Sequence, residues 1–110
     1  MHFDLDQLFQ KSDLIPVIIQ DVDTKDILML GFTNREAVEL TLKTKTAWFW
    51  SRSREKLWNN GESSGHFLHV EKVVTDCDTD TLLYFCRPDG PTCHTGARSC
   101  FFNTIMEGEQ

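Results

Sequence analysis

Positive charge is scarce in this chain, which has 11 lysines and arginines against 17 aspartates and glutamates. Binding to the phosphate backbone of nucleic acids requires an excess of basic side chains on one face, so the formal charge of −6 argues against a nucleic-acid partner. The acid excess instead favours cation binding. Because Arg52, Arg54 and Arg98 lie close to other polar motifs, small phosphorylated ligands remain compatible with the composition.

Long apolar runs are also missing. No run approaches the ~18 residues that a membrane span requires, and residues 1–4 lack the basic and apolar regions of a signal peptide. We therefore expect no membrane partner and a cytoplasmic location. In a reducing cytosol the four cysteines are more typical of metal ligands or buried thiols than of disulfides.

The chain is too short for two ordinary domains. Its 110 residues, of which 40% are apolar, predict one domain over residues 1–110 with a single core. A chain of this size builds a deep active site more easily from two copies than from one. We therefore expect a homodimer.

Strand-forming residues dominate the sequence and predict a mainly β (α+β) domain of antiparallel strands. Thr33 and Glu36 match a capping box and predict one helix, near residues 34–44. Two prolines and a glycine in residues 87–91 predict that the last strand ends at Cys86 and that a loop follows. The predicted strands are 16–21, 27–30, 47–50, 67–74 and 81–86.

Two cysteines and a histidine stand together in residues 93–100, which read Cys-His-Thr-Gly-Ala-Arg-Ser-Cys. The six residues between Cys93 and Cys100 exceed the spacing of a zinc knuckle. With Cys77 they offer three thiolates, and three protein ligands with an open fourth position are typical of catalytic zinc sites. His94 is a fourth ligand, a proton carrier or a loop histidine bonded locally. Cys86, in an apolar strand, is predicted to be a buried thiol.

Carboxylates alternate in the segment Asp76-Cys77-Asp78-Thr79-Asp80. In an extended strand Asp76, Asp78 and Asp80 would share one face and Cys77 would point to the other. Aspartate oxygens suit hard ions such as Mg²⁺, so this short segment could serve two metals. The alternative interpretation is a solvated, aspartate-rich turn.

Basic, hydroxyl and aromatic side chains are combined in residues 51–66. Arg52 and Arg54 beside Trp58 can hold a phosphate and stack a base, and Ser63 and Ser64 add hydroxyls on a glycine-bounded turn. The alternative interpretation is that the basic residues protect an exposed strand edge from aggregation.

Together these motifs resemble the phosphoribosyl-AMP cyclohydrolase family. The similarity runs from about Leu14 to Phe102 and keeps the family's order: Ser-Arg-Ser-Arg with Leu-Trp and Gly-Glu-x-Ser-Gly, then Asp-Cys-Asp-x-Asp, then Cys-His-Thr-Gly-x-x-Ser-Cys-Phe. The resemblance implies that the chain opens the adenine ring of 1-(5-phosphoribosyl)-AMP at the N1–C6 bond, in histidine biosynthesis. It also implies a homodimer that depends on Zn²⁺ and Mg²⁺.

The resemblance also implies roles for individual residues. Asp76, Asp78 and Asp80 would hold magnesium, while zinc would take Cys77 from one subunit and Cys93 and Cys100 from the other. We expect a zinc-activated water as nucleophile and His94 as the catalytic proton carrier. The expected substrate contacts are Arg52, Arg54, Trp58, Ser63, Ser64 and Arg98. The sequence departs from the family pattern at Asn60, where lysine is frequent, and at His66, where asparagine is frequent.

Two other hypotheses compete with this one. A small structural zinc module would use the same thiols for stability and would need no magnesium. A nucleotide deaminase or other nucleotide-acting zinc hydrolase would attack the same carbon of adenine, but the chain lacks the combination of His-x-Glu with Pro-Cys-x-x-Cys that deaminase sites use.

Overall fold

A mixed four-stranded sheet forms the centre of the molecule. The structure, a computed structural model, describes residues 3–109, so the ends of the predicted 1–110 domain lie outside the described residues. The elements are a 3-10 helix Leu5–Phe9, β1 Ile15–Asp21, β2 Ile27–Thr33, α1 Arg35–Thr44, β3 Trp48–Ser51, β4 Lys56–Asn59, β5 Leu68–Thr75 and β6 Leu82–Pro88. The strand order in the sheet is β2-β1-β6-β5, and β3 and β4 form a separate hairpin. The predicted α+β class with one α-helix is confirmed for these residues.

The first two strands form the predicted hairpin, and every second residue of β1 faces the core. Ile15, Val17 and Ile19 are at most 2% exposed, which is the alternation expected of a half-buried strand. The other edge of β1 pairs with β6 in parallel, from Val17 opposite Leu82 to Asp21 opposite Cys86. This is the one pair among the named strands that differs from the antiparallel pattern we expected. As a consequence, the last residues of β1 and of β6 lie at the same end of the sheet.

Helix α1 begins at a different residue from the one predicted. Asn34 is the N-cap, and its Oδ1 accepts a hydrogen bond from the Ala37 amide (2.9 Å). Thr33 was expected in this place, but it is the buried last residue of β2 and its side chain points into the protein. An asparagine side chain accepts a hydrogen bond from the otherwise unpaired amide of the first helical turn as well as a threonine does. The helix therefore still begins within one residue of its predicted start.

Strand β6 ends at Pro88, two residues later than predicted, and begins one residue later, at Leu82. Its pairing with β1 stops at Cys86, so beyond that point β6 has only β5 as a neighbour. A proline at the end of a strand removes no ladder bond that a second neighbour needs. The following loop then carries Cys93, as predicted.

The two groups of predicted metal ligands, in residues 76–80 and 93–100, lie at opposite ends of β6. The turn 76–80 connects β5 to the start of β6, whereas the loop 89–100 follows its end. A seven-residue strand spans about 20 Å. Within residues 3–109 no helix is long and apolar enough to span a membrane.

Gly31 of β2 lies directly beneath the β3–β4 hairpin. A Cβ at this position would be 2.7 Å from Cδ1 of Phe49, whose ring is buried and packs against Trp58 with the centroids 5.3 Å apart. Real Cβ atoms do not approach so closely, so this glycine allows the hairpin to sit on the sheet.

We expect Gly31→Ala to destabilise the protein by about 1–3 kcal/mol, because Phe49 would have to move out of a close-packed core. Thermal unfolding followed by circular dichroism measures the change. Gly108→Ala is the matched control, since no atom lies within 4 Å of a Cβ there. Equal melting temperatures for the two variants would contradict the packing argument.

Candidate active site

A cavity of about 550 Å³ opens beyond the end of β6. One wall is the segment that follows β3, and the opposite wall is the loop after β6. The first wall contains Arg54, Trp58, Asn60, Gly61, Ser63, Ser64 and His66, and the second contains Pro91, Thr92, Cys93, His94, Gly96 and Cys100, with Met29 of β2 completing the cavity.

The cavity unites most of the predicted site residues. Arg54, Trp58, Ser63 and Ser64 line it together with Cys93, His94 and Cys100, although the two groups are at least 29 positions apart in the sequence. The remaining predicted residues are Arg52, Arg98, Cys77, Asp76, Asp78 and Asp80, and they are not part of its lining.

The loop that carries the thiols is held by its own backbone. The Cys93 amide donates to the Ala97 carbonyl (3.1 Å), and the Gly96 amide donates to the Cys93 carbonyl (3.0 Å). Gly96 has φ +91°, a left-handed conformation that glycine adopts without strain. The Cys100 amide donates to the Leu28 carbonyl of β2 (2.8 Å), so the loop returns to the sheet at the second thiol.

The two loop thiols differ in acidity. The Thr95 hydroxyl donates to Sγ of Cys93 (3.1 Å), and this bond together with the Thr95 amide lowers the pKa of Cys93 below its ordinary value. Burial, with a further contribution from Cys93, raises the pKa of Cys100 to about 11. Cys93 is therefore the more easily ionised partner of an interacting pair. A pair of sulfur donors on a cavity wall fits a soft or borderline ion such as Zn²⁺.

Cys77 lies too far from the loop thiols to join them within one chain. It is exposed in the turn before β6, and the length of that strand, about 20 Å, separates it from Cys93. Thiolates that share one zinc are only about 4 Å apart, because each Zn–S bond is about 2.3 Å. All four cysteines are free, and Cys86 is the buried thiol that we predicted, with a pKa raised by burial to about 12.

The three aspartates meet in a turn, which was the alternative to an extended strand with all three on one face. Thr79 adopts φ +56°, and Oδ1 of Asp76 accepts the amides of Asp80 (3.1 Å) and Thr81 (3.2 Å). One oxygen from each of Asp76, Asp78 and Asp80 lies within 4.8 Å of the others, so the group could hold a metal ion. Lys11 donates to Oδ2 of Asp80 (3.1 Å), which lowers the pKa of Asp80.

Arg98 is the anchor of the thiol loop. Its Nη2 lies 2.9 Å from Oδ2 of Asp21, 2.8 Å from Oγ1 of Thr24 and 3.2 Å from Oδ2 of Asp26, all at the β1–β2 turn. Asp21 is 4% exposed and also accepts the Asp23 and Thr24 amides. Sequence reasoning missed this acidic partner group because 72 to 77 residues separate it from Arg98.

Arg52 lies over the ring of Phe32, with 3.8 Å between the guanidinium carbon and the ring centroid. Its role as a substrate contact, like that of Arg98, stays a prediction. The two departures from the family pattern, Asn60 and His66, both line the cavity. Asn60 is buried with Nδ2 3.7 Å from Sδ of Met29, and the His66 ring lies against Gly90.

A cavity that brings two thiols, two imidazoles, a guanidinium and two serine hydroxyls together is the site of an enzyme acting on a small polar molecule. Residues 29–102 match the phosphoribosyl-AMP cyclohydrolase family. The chain belongs to this family, and it is a hydrolase.

Individual relatives agree with this assignment. The phosphoribosyl-AMP cyclohydrolase of Cenarchaeum symbiosum (strain A) is 50% identical over 99 residues, which cover 89% of this chain and 92% of the relative. That of Clostridium botulinum (strain Kyoto / Type A2) is 55% identical over 95 residues, 86% of each chain. The histidine biosynthesis bifunctional protein HisIE of Lactococcus lactis subsp. lactis (strain IL1403) is 52% identical over 98 residues, which cover 89% of this chain and 46% of the relative.

We expect Asp21→Asn to destabilise the protein by about 1.5–3 kcal/mol at pH 7, because it removes a charged partner of Arg98. Burial alone would raise the pKa of Asp21, but the hydrogen bonds from Arg98, Thr24 and Asp23 outweigh burial and lower it. The stabilisation is therefore complete above the pKa of the unfolded carboxyl, about 4, and is lost as the pH falls below it.

Urea unfolding between pH 7 and pH 3 measures this difference. The wild type should lose more stability over the range than Asp21→Asn does. Asp26→Asn is the matched control, because Asp26 is 60% exposed and lies farther from the same guanidinium. Parallel pH profiles for wild type and Asp21→Asn would contradict the assignment.

Proposed function

We propose that this chain hydrolyses the N1–C6 bond of the adenine ring of 1-(5-phosphoribosyl)-AMP in histidine biosynthesis. The observation that carries the proposal is the cavity, in which a thiol pair and His94 face a guanidinium, an indole and two hydroxyls. Its volume of about 550 Å³ suits a nucleotide-sized ligand. Family membership and the names of the relatives support the same reaction.

The charge around the cavity favours a phosphorylated substrate. Among the described residues that line it there is no aspartate or glutamate, although the chain as a whole carries −6. Arg54 with Ser63 and Ser64 would bind a phosphate through charge-assisted hydrogen bonds. The partly buried indole of Trp58 would stack against the adenine ring. Arg98 is engaged by the β1–β2 turn and supports the loop in this proposal, while its contact with substrate stays a prediction.

Two metal ions complete the proposed site. Zinc would be held by Cys93 and Cys100 and by Cys77 of the partner subunit, since the sheet keeps this chain's own Cys77 at its far end. Zinc supplies a nucleophile at neutral pH by lowering the pKa of bound water to about 7. Magnesium would be held by Asp76, Asp78 and Asp80, whose oxygens suit a hard ion. A homodimer follows from this arrangement, and the cytoplasm is the proposed location because thiolate ligands stay reduced there.

His94 is the proposed proton carrier. It is exposed on the cavity wall and adjoins Cys93, so it can face both the attacking water and the ring. The water oxygen adds to C6, and its departing proton passes to the imidazole. As the C6–N1 bond breaks, its electron pair goes to N1 and the imidazole returns that proton to N1. The second proton of the water passes from the C6 oxygen to the exocyclic nitrogen, which leaves a carboxamide at C6. An imidazole can accept a proton on one nitrogen and donate it again, as both steps require.

We expect His94→Ala to keep its zinc and to lower kcat by about 10²–10⁴-fold, because the variant loses the proton carrier and no ligand. Steady-state kinetics and metal analysis of the same preparation measure both quantities. His69→Ala is the control, since His69 pairs with Asp89 (2.9 Å) and does not line the cavity. Full turnover by zinc-loaded His94→Ala would refute the role.

Mixing two inactive variants tests the shared zinc site. We expect Cys77→Ser and Cys93→Ser to be inactive alone, and an equal mixture to regain roughly one quarter of the wild-type sites, because half of the dimers are mixed and each holds one intact site. Zinc content should rise in parallel with activity. Complete failure despite demonstrated subunit exchange would contradict sharing.

The reaction itself is tested by an absorbance assay on phosphoribosyl-AMP with purified protein, with and without chelator and with added Mg²⁺. Chelator-sensitive ring opening without ammonia release is the expected result. Ammonia release would indicate a deaminase instead. Tightly held zinc without turnover would indicate a structural zinc module.

A further inference from the structure

Residues 101–106 form an apolar arm that leaves the body of the domain immediately after Cys100. Its large side chains have little cover: Phe101 is 63% exposed, Phe102 54%, Ile105 101% and Met106 83%. The Phe101 amide donates to Oγ of Ser99 (3.0 Å), and no helix or strand includes the arm. A run of exposed apolar side chains of this kind marks an interaction surface.

A second apolar surface lies on the other side of the molecule. It is a groove of about 420 Å³ between the 3-10 helix, α1 and β5. Leu8, Val38 and Leu82 are buried at its base, while Phe3 (46% exposed) and Leu42 (48% exposed) stand at its rim. No charged residue is among its described lining residues. We call it the α1–β5 groove.

The sequence places each surface next to a proposed zinc ligand. Thr75 lines the groove and stands two residues before Cys77, whereas Phe101 directly follows Cys100. Ligands of one zinc lie within about 4 Å of each other. If Cys77 of the partner subunit completes the zinc site, the arm therefore begins beside the partner's groove.

The arm starts far from the Thr75 end of its own groove. Cys100 bonds to the first edge strand, β2, whereas Thr75 is the last residue of the opposite edge strand, β5. Three strand spacings across and one strand length along give a separation of about 24 Å. Six residues span about 22 Å only when fully extended. The arm of a second copy that shares the zinc starts beside that end of the groove, so a second copy is the occupant that the geometry favours.

We propose that the arm of residues 101–106 docks into the α1–β5 groove of a second copy, and that the second copy returns the same contact. This inference rests on the proposed zinc sharing, because sharing brings Cys100 beside the turn that follows β5. The arm then links dimer formation to assembly of the active site. The two-fold symmetry makes both contacts equivalent.

Charged substitutions at exposed positions test the contact without disturbing the core. We expect Ile105→Asp/Met106→Asp in the arm, and Leu42→Asp in the groove, each to weaken dimerisation at least about 100-fold, because each removes apolar burial twice per dimer. Sedimentation equilibrium measures the dimer dissociation constant. Leu30→Asp is the matched control, since Leu30 is 46% exposed and does not line the groove. Equal weakening by the control, or none by the arm variant, would overturn the proposal.

Complementation gives a second measurement. A mixture of the arm variant with the groove variant should associate more tightly than either alone, because the mixed dimer retains one intact arm and groove. If either variant fails to fold, a labelling experiment on the wild-type protein tests the contact instead. A mixed dimer with Ile and Met methyls labelled in one copy and Leu and Val methyls in the other should show nuclear Overhauser effects between Met106 and Leu42. Their absence in a confirmed dimer would contradict the contact.

The outcomes separate this inference from the zinc proposal. If the arm variants stay dimeric while the two cysteine variants complement each other, the arm contact is wrong and sharing stands. If the arm variants dissociate but the cysteine variants never complement, the groove contact stands and sharing is wrong.

Discussion

The parallel pairing of β1 with β6 is the constraint on which the site depends. Because the two strands run in the same direction, both finish at the same end of the sheet, and the β1–β2 turn meets the loop that follows β6. Arg98 can therefore reach Asp21, and Cys100 can hydrogen bond to Leu28. Had β6 paired antiparallel to β1, the thiol loop would emerge at the opposite edge, away from the groups that hold it.

The same pairing divides the chemistry of the chain between the two ends of β6. The acidic turn precedes this strand and the thiols follow it, so a domain of this size cannot bring Cys77 to Cys93 without losing its central strand. A two-fold dimer of the kind proposed above would solve the problem, because it can place one end of a sheet against the other end of a second sheet. In that proposal, sharing a site between subunits is a consequence of topology.

Local patterns predicted most of the elements, although not the 3-10 helix or β4, and they predicted the long-range pairing poorly. Periodicity and turn residues located the first hairpin, the helix and the last two strands to within a few residues, because each depends on neighbours in sequence. The strand direction of β6 depends on contacts about 65 residues apart, which leave no mark on local composition. The cap at Asn34 was missed because the register of β2 uses Thr33 to fill the core, and tertiary packing took precedence over the capping box.

The candidate metal ligands show which features of a site can be recognised from a sequence. Donor chemistry is set by residue type, so the thiols and carboxylates could be recognised before their geometry was known. Electrostatic position is different: a net charge of −6 says nothing about a cavity whose described lining residues include Arg54, His66 and His94 but no carboxylate. Acidic residues lie elsewhere, for example in the 76–80 turn and in the cluster around Arg98. A cavity lined by a guanidinium and by no carboxylate can attract an anionic ligand even in an acidic protein, because the field near the site depends on the nearest charges and not on the net charge of the chain.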